Sequence, residues 1–518
     1  MLALIPEAHA ADMFWSNGRG DGSGGFSTAI HWSGGSPSNP PPPDADDIAH
    51  FGMTTGAAFP STYTVTFTAN ATNEAVVVED DSVTFDLNGR TYTTTAFLEN
   101  KIGTVAGRTG SLTITDGTWD LGTGVKDHTL VGAVAGAPGT LIVSTGGRIT
   151  GESDLQLGGG GPGTLTVQNG GSVNAFKIGV GSSAPGTLNI TSNSSVHVDR
   201  EGAGFAMRIG GGGVGVIGTA NVDGANSTFT ITGGLQVGST GPGFLNISAG
   251  ASVSSANGTV APRGTVTITG VSSRWTNSAN LDIGQSSFIN SQNLLRLADG
   301  GQVQAATILI SNGARVEGVG TLTGNVSHAG GVIAPGNSAG KLNVTGNYTQ
   351  TTSSRLQIEI GGVTPATQHD ILDITGSAAL GGNLELFVIN GFAPLPSDTF
   401  TILEASTITG AFSNVANGQR RATGDGLGSF LVHYGPASAF NPLQVVLSAF
   451  QASLAGDFDG DGDVDGGDFL VWQRGGSPNP MSSTDLTDWK NNYGAPPLVA
   501  ASLGVPEPST WVLLSLMA

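Results

Sequence analysis

Apolar and polar residues alternate along most of the chain in short runs separated by glycine-rich turns, which is typical of β-strands whose side chains alternate between two faces. One phrase recurs as PGTLIV, PGTLTV, PGTLNI and PGFLNI, with IGTANV and RGTVTI as weaker copies. The shared glycines are Gly139, Gly163, Gly186, Gly218, Gly243 and Gly264, which lie 24, 23, 32, 25 and 21 residues apart. The pattern therefore predicts a repeat protein made of short strands.

Two further strands follow the phrase in most copies, as in NGGSVNA and then FKIGV. Three short strands per repeat indicate a solenoid whose coils each have three walls, so the sequence predicts an all-β, parallel, right-handed β-helix. Alternation places the apolar pairs of the first and third walls inside the coil, among them Phe176 and Ile178 of one third-wall strand. We expect Leu141, Leu165, Leu188 and Leu245 to form one buried column, because burial of one face fixes the register.

The outward positions of the walls are mostly uncharged. On the first wall they are Thr113, Ile142, Thr166, Asn189, Asn221, Asn246 and Thr267, and on the third Gln156, Lys177, Arg208, Gln236 and Asp282. Stacks of Thr and Asn favour hydrogen bonds between neighbouring coils, and a shallow glycan-contacting face is the functional alternative. Polysaccharide lyases on this fold need clustered acids and a base, and the solenoid acids Asp154, Asp199, Asp223 and Asp282 share no column in the sequence pattern.

Composition excludes several kinds of chemistry. The chain has 83 glycines, no cysteine and a formal net charge of −20. An acidic chain offers no basic patch for phosphates, so we expect no nucleic-acid partner, and the lack of cysteine excludes disulfides and thiolate sites. The eight histidines show no zinc-binding spacing, and no nucleophile elbow occurs. We therefore expect a protein that is not an enzyme.

Six aspartates stand within the fourteen residues GDFDGDGDVDGGDF, which run from Gly456 to Phe469. With the first aspartate as position 1, they fall at positions 1, 3, 5, 7, 9 and 12, and a glycine occupies position 6. This is the layout of a calcium-binding loop, so we predict Ca²⁺ as a cofactor, and a solvated acidic linker is the alternative. The candidate metal ligands are Asp457, Asp459, Asp461, Asp463, Asp465 and Asp468.

A loop–helix unit is given twice near the end of the chain, because Asp468-Phe469-x-x-Trp472 is followed by Asp485-Leu486-x-x-Trp489. The pair resembles a type I dockerin, a calcium-folded module that docks on a cohesin. The resemblance implies that Asp463 supplies a backbone carbonyl, that the other five aspartates supply side-chain oxygens, and that a cohesin-like module is a partner. Since no D-x-D-x-D run precedes the second unit, we expect one calcium ion.

The region around residues 14–450 resembles autotransporter-like β-helix passengers. Trp32, Asp47 and Phe51 fit their opening coil, and the segment that ends them is matched by Pro335-Gly336-Asn337-Ser338, Gly346-Asn347-Tyr348-Thr349-Gln350, Asp370 and Gly376. At the N-terminus, Ala8-His9-Ala10 fits a signal-peptide cleavage site, and an ordinary frayed terminus is the alternative. At the C-terminus, Pro506-Glu507-Pro508-Ser509-Thr510 resembles a PEP-CTERM sorting signal. Both signals are short, so we expect a fragment at both ends.

These signals divide the chain into a signal-peptide remnant at 1–10, a β-helix solenoid at 11–330, a β-rich passenger-like cap at 331–450, a dockerin-like calcium module at 451–495 and a truncated sorting tail at 496–518. We expect an exported structural or adhesive protein on the surface or in the matrix of a Gram-negative-type bacterium. Its expected partners are the export and sorting machinery and an extracellular polysaccharide. The alternatives are a polysaccharide lyase or hydrolase, or a glycan-binding protein, that uses a β-helix wall.

Overall fold

The fold is an all-β solenoid, as the strand pattern predicts. The computed structural model describes residues 11–15, 23–33, 42–52, 61–95, 98–122, 128–200, 205–284 and 293–495. The chain is 52% strand and 5% helix and forms a parallel β-solenoid of about 13 turns, followed by two short helices. The predicted fold class is confirmed, whereas the segments predicted to be a signal-peptide remnant, 1–10, and a sorting tail, 496–518, lie outside the described residues.

Each turn of the solenoid contributes one strand to each of three parallel walls. The first wall contains Gly24–Gly25, Thr62–Thr66, Ser82–Asp86, Gly110–Thr115, Gly139–Val143, Gly163–Val167, Gly186–Ile190, Gly218–Asp223, Gly243–Ser248, Gly264–Thr269, Val332–Pro335, Arg355–Ile360 and Asn383–Val388. The second contains Ala71–Asn73, Thr91–Thr94, Gly117–Asp120, Gly147–Thr150, Ser172–Ala175, Ser195–Val198, Thr228–Ile231, Ser252–Ser255, Arg274–Asn277, Lys341–Thr345, Ile371–Ile374 and Phe400–Glu404.

The third wall contains Asp12–Trp15, Ile48–Phe51, Ala75–Val78, Asn100–Ile102, His128–Val131, Asp154–Leu157, Lys177–Val180, Phe205–Ile209, Gly234–Val237, Asn257–Val260, Asn280–Ile283, Tyr348–Gln350, Ser377–Leu380 and Thr407–Gly410. Two long strands, Asn293–Ile310 and Ala314–His328, run through all three walls. A 3-10 turn, Ala29–His31, precedes the short antiparallel strand Trp32–Ser33.

The repeated phrase sets the register of the first wall. Leu141 pairs with Leu165, Leu165 with Leu188, and Leu188 with Ala220, which in turn pairs with Leu245. All five side chains are fully buried. The predicted leucine column is therefore confirmed, and it belongs to one continuous apolar core shared by neighbouring turns.

One inward pair of the third wall differs from the prediction. Leu155 pairs with Ile178 on the neighbouring strand, and the next inward residue of that strand is Val180. The two inward residues are therefore Ile178 and Val180, and the prediction that they are Phe176 and Ile178 is wrong. The reason is the position of the corner: Ala175 still belongs to the second wall, and the third-wall strand begins only at Lys177. Phe176 is half-buried at the corner, with the Arg200 guanidinium carbon 5.9 Å from its ring centroid.

Parallel pairing continues well past residue 330, up to the third-wall strand Thr407–Gly410. Beyond it, the antiparallel strands Gln419–Ala422, Gly428–His433 and Gln444–Ala452 form the β-rich C-terminal cap. Gln444–Ala452 pairs with Phe400–Glu404, the last strand of the second wall. The Asn414 side chain accepts a hydrogen bond from the Leu384 amide and donates one to the Leu384 carbonyl, on the last strand of the first wall. The cap therefore occupies sheet-edge groups that would otherwise be free to pair with another chain.

A pH-sensitive contact ties the first strand to the coils above it. His50 lies with Nε2 3.1 Å from Asp12 Oδ1 and Nδ1 3.2 Å from Glu79 Oε1. Burial alone lowers the pKa of His50, but the hydrogen bonds and charges of Glu79 and Asp12 outweigh burial and raise it. A histidine whose pKa is raised in the folded state stabilises the folded protein. This stabilisation is fully present below the unfolded-state pKa of about 6.5 and is lost as the pH rises through the folded-state pKa.

We therefore expect amide exchange in Asp12–Trp15 to accelerate as the pH rises above about 6.5 by more than the intrinsic pH dependence of exchange. Hydrogen exchange read by mass spectrometry measures this excess, and the variant His50→Gln should lack it. An excess of the same size in His50→Gln would contradict the assignment.

Candidate metal centre

The acidic loop, residues 457–468, leads into helix α1, Gly466–Gln473, which is followed by helix α2, Ser483–Asn492. Asp465 caps α1 by accepting a hydrogen bond from the Gly467 amide, and Asp468 returns one by accepting from the Asp465 amide at 2.7 Å. Asp468 is fully buried and also accepts from the amides of Phe458 and Asp459. This capping box fixes Asp468 at the centre of the loop.

The loop gathers five of the six predicted ligands into two overlapping groups. Asp457, Asp459 and Asp468 form one group and Asp463, Asp465 and Asp468 the other, each with its ligand oxygens within 4.8 Å of one another. Asp461 lies in neither group. Its side chain is exposed, and its Oδ1 accepts from the Asp463 amide at 3.1 Å.

The family resemblance assigns the backbone carbonyl of Asp463 as a ligand, and the structure also turns the side chain of Asp463 toward the other carboxylates. Its carboxylate belongs to the second group, and its Oδ1 is buried without a hydrogen-bond partner in the described part of the chain. The alternating sequence pattern gave no signal for this orientation, because spacing fixes the order of ligands along a loop but not which atoms turn inward.

Burial and mutual repulsion make the loop electrostatically unfavourable by itself. Burial, together with neighbouring carboxylates, raises the pKa of Asp457, Asp459 and Asp463. Backbone amides oppose this only in part, since Asp457 accepts from Gly460 at 2.8 Å and Gly462 at 3.1 Å. Several converging carboxylate oxygens and one orphaned buried oxygen fit a hard cation, so this site could bind a metal ion.

The second loop–helix unit repeats the first with different chemistry. The Trp472 indole donates to the Ser482 carbonyl at 3.0 Å, and the Trp489 indole donates to the Asp465 carbonyl at 2.7 Å, so each helix contacts the residue that caps the other. Asp485, the counterpart of Asp468, is buried and accepts from the backbone and side-chain amides of Asn479. Burial raises the pKa of Asp485, but hydrogen bonds from Asn479, Ser477 and Ser482 outweigh it and lower the pKa.

One set of contacts closes the module on itself, and another joins its loop to the cap. The Val464 carbonyl accepts from the Gly494 amide at 2.8 Å, and the Val464 amide donates to Ala495, which closes the module across its two ends. Gly462 abuts Gln451 of the cap, whose amide nitrogen would collide with any Cβ at this position. The sequence pattern explained Gly462 by its turn, and its φ of +100° agrees, whereas the end of the flexible Gln451 side chain can move aside.

The outward Asn and Thr residues of the first wall form the cross-coil hydrogen bonds that their stacking predicts. The amide of Asn189 donates to Thr166, that of Asn221 to Asn189 at 2.9 Å, and that of Asn246 to Asn221 at 2.8 Å. On the third wall, Lys177 lies one column away from Gln156 and bonds Asp154 at 3.0 Å. These contacts stabilise the walls between neighbouring turns.

The fold and the site together define a class: a parallel β-solenoid that carries a two-helix module with an acidic loop able to bind a metal ion. The fold is consistent with surface or adhesive proteins and with proteins that act on polysaccharides. The chain matches no protein-family model and no curated protein. Within the described ranges, neither helix has the length and apolar character needed to cross a membrane.

Proposed function

We propose that the protein is an exported structural or adhesive component of the cell surface or extracellular matrix, attached through a module at 451–495 that binds one calcium ion. The observation that carries the proposal is the convergence of carboxylates on Asp468 in a module that follows a long β-solenoid. The cleavage-site pattern at residues 8–10 and the PEP-CTERM-like motif at 506–510 support export and sorting in a Gram-negative-type bacterium.

Calcium suits the loop better than magnesium. The side chains of Asp457, Asp459, Asp463, Asp465 and Asp468 would hold the ion. Calcium accepts six to eight oxygens in flexible geometry, whereas magnesium demands a smaller octahedral shell and keeps its waters. When bound, the ion supplies the positive charge that these carboxylates lack. One ion is proposed because Asn479 amides, rather than further carboxylates, occupy the oxygens of Asp485.

The dockerin resemblance supports a cohesin-like module as the partner of residues 451–495. The two helices and the reciprocal tryptophan contacts are compatible with such a docking module. The solenoid would then extend from the attachment point as a rigid rod. An enzyme of the lyase or hydrolase class remains the alternative, and incubation with acidic polysaccharides tests it, since unsaturated products would overturn a purely structural or adhesive role.

Attachment through the module predicts release by chelation. In the bacterium that produces the protein, washing intact cells with a calcium chelator should release it, and a magnesium wash should not. The double variant Asp457→Asn, Asp468→Asn should be shed into the medium without chelation. Asp299→Asn, which changes an exposed solenoid acid, is the matched control and should remain attached. Immunoblots of cell and medium fractions measure both, and retention of the double variant would contradict the proposal.

A further inference from the structure

The outward side chains of the first wall change from short uncharged residues to long polar and charged ones along the solenoid. Thr267 pairs with Arg296, and from there the outward positions carry long polar side chains. We call six of them the charged row: Arg296, Arg315, Glu317, Arg355, Gln357 and Glu385. The row follows the solenoid axis over five successive first-wall strand segments, from the one that contains Arg296 to Asn383–Val388.

Internal contacts hold the charged row in one arrangement. Glu317 accepts from Arg296 at 2.7 Å and from Arg315, and Arg315 also donates to Gln357 at 2.9 Å. Gln357 then donates to Glu385 at 3.1 Å, and Arg355 lies 3.8 Å from the same carboxylate. The carboxylates are the more buried partners, with 13% of Glu317 and 22% of Glu385 exposed, whereas the three guanidinium side chains are 42–50% exposed.

The strand in the middle of the charged row, Val332–Pro335, presents apolar side chains. Val332 and Ala334 occupy outward places on the strand between Arg315 and Arg355, yet only 7% and 8% of them are exposed. The hydrogen bond from Arg315 to Gln357 crosses this strand. The wall therefore offers small apolar side chains flanked by fixed donors and acceptors.

Stability alone gives no reason for this arrangement. Ion pairs with exposed partners contribute roughly 0–1 kcal/mol, and neighbouring turns of the same wall are held by short Asn and Thr side chains instead. Ordering long side chains before a ligand arrives reduces the entropy lost on binding. Arg296 and Arg315 each keep one terminal nitrogen, Nη1 and Nη2 respectively, that bonds no protein group among the described residues.

Charge indicates the kind of ligand. The three guanidinium groups are matched by Glu317, Glu385 and the adjacent Glu359, so the row has no excess positive charge, and the protein as a whole carries −20. A polyanion would be repelled, while a hydroxyl group can both donate to a carboxylate and accept from a guanidinium. We propose that the charged row binds a neutral polysaccharide whose chain lies along the first wall. This inference rests on the proposed extracellular role for its setting.

The test is affinity electrophoresis of the purified full chain through gels containing a neutral β-glucan, a neutral mannan, polygalacturonate or alginate. The buffer contains a calcium chelator, so a failure of the metal module leaves this result unaffected, and a failure of binding leaves the module untouched. We expect retardation by at least one neutral polymer and by neither polyanion. Retardation by the polyanions alone, or by none of the four, would overturn the proposal.

Variants locate the site. Arg315→Ala and Glu317→Gln should each weaken binding about tenfold or more, because Arg315→Ala removes the link between Glu317 and Gln357 and Glu317→Gln removes the charge that holds Arg296 and Arg315. Arg274→Ala, at an exposed arginine of the second wall, is the matched control and should bind as the parent does. Gln357→Ala removes the hydrogen bonds to Arg315 and Glu385 without removing a charge. It replaces Arg315→Ala in the test if circular dichroism shows that Arg315→Ala has not folded. Full binding by folded Glu317→Gln and Gln357→Ala would contradict the assignment.

Discussion

Removing calcium is expected to unfold residues 456–494 while the solenoid stays folded. The helices of this module have almost no core: Asp468 is the only buried residue of α1, and Asp485 the only one of α2. Phe469, Trp472 and Trp489 pack together but stay partly exposed. Apolar burial this small cannot hold a module of about 40 residues, so the folding free energy must come from the ion.

The expected effect is large. An ion present at about a thousand times its dissociation constant stabilises the folded state by about 4 kcal/mol, which exceeds what the exposed aromatic contacts can supply. Tryptophan fluorescence and far-ultraviolet circular dichroism of the full chain, titrated with calcium against a chelator, measure the transition. The strand signal of the solenoid should not change. A module that keeps its helical signal and fluorescence after chelation would show that the acidic loop is only a charged linker.

Single substitutions distinguish the ligands. Asp468→Asn should abolish the calcium response, because Asp468 belongs to both carboxylate groups. Asp461→Asn should keep most of the response, because the Asp461 carboxylate lies outside both groups and is exposed. If Asp461→Asn abolished the response as well, the ligand set implied by the alternating spacing would be the right one.

The apolar–polar periodicity predicted the strand register, which depends on burial of one face. It failed to predict where a strand begins and which way a loop side chain turns, because these depend on the geometry between strands. The leucine column followed from alternation, since one buried face permits a single register. The corner at Phe176 did not, because the chain passes from Ala175 to Lys177 with no glycine or other turn residue to mark where the next strand begins. The same limit applies to the acidic loop, where spacing identified the aspartates but not the inward turn of Asp463.

The charged row was beyond the reach of the sequence pattern for a related reason. Its members come from strands that lack the repeated phrase, so their register could not be counted from a shared glycine. Arg315 and Gln357 are 42 residues apart, and their hydrogen bond skips the strand between them. Only the folded solenoid brings such positions into one line along a wall.

Replacing Gly163 with alanine is expected to destabilise the solenoid by about 3 kcal/mol or more, the upper range for overpacking. The backbone of Gly163 has an ordinary φ, so the conformation itself would tolerate alanine. The obstacle is close approach: a Cβ would overlap the carbonyl oxygen of Val131, in the preceding turn, and the amide nitrogen of Gly158, at the adjoining corner. Backbone atoms cannot move to another rotamer, so neighbouring turns would have to separate.

The same overlap recurs at the other glycines of the repeated phrase, which explains why the sequence repeats a glycine there. At Gly186 and Gly243 a Cβ would overlap the amides of Gly181 and Gly238. Gly213 is the matched control, because it has an ordinary φ and a Cβ added there would meet no heavy atom within 4 Å. The variant Gly213→Ala should therefore change stability by less than about 0.5 kcal/mol.

Urea unfolding followed by circular dichroism should give a clearly lower midpoint for Gly163→Ala than for Gly213→Ala. Because each turn of a solenoid contacts only its neighbours, the damage should also be local. Hydrogen exchange should accelerate first in the strands on either side, Gly139–Val143 and Gly186–Ile190, and leave Asn383–Val388 protected. Equal midpoints for the two variants would mean that neighbouring turns separate at little cost, and the close approach would then not be what requires glycine in the repeated phrase.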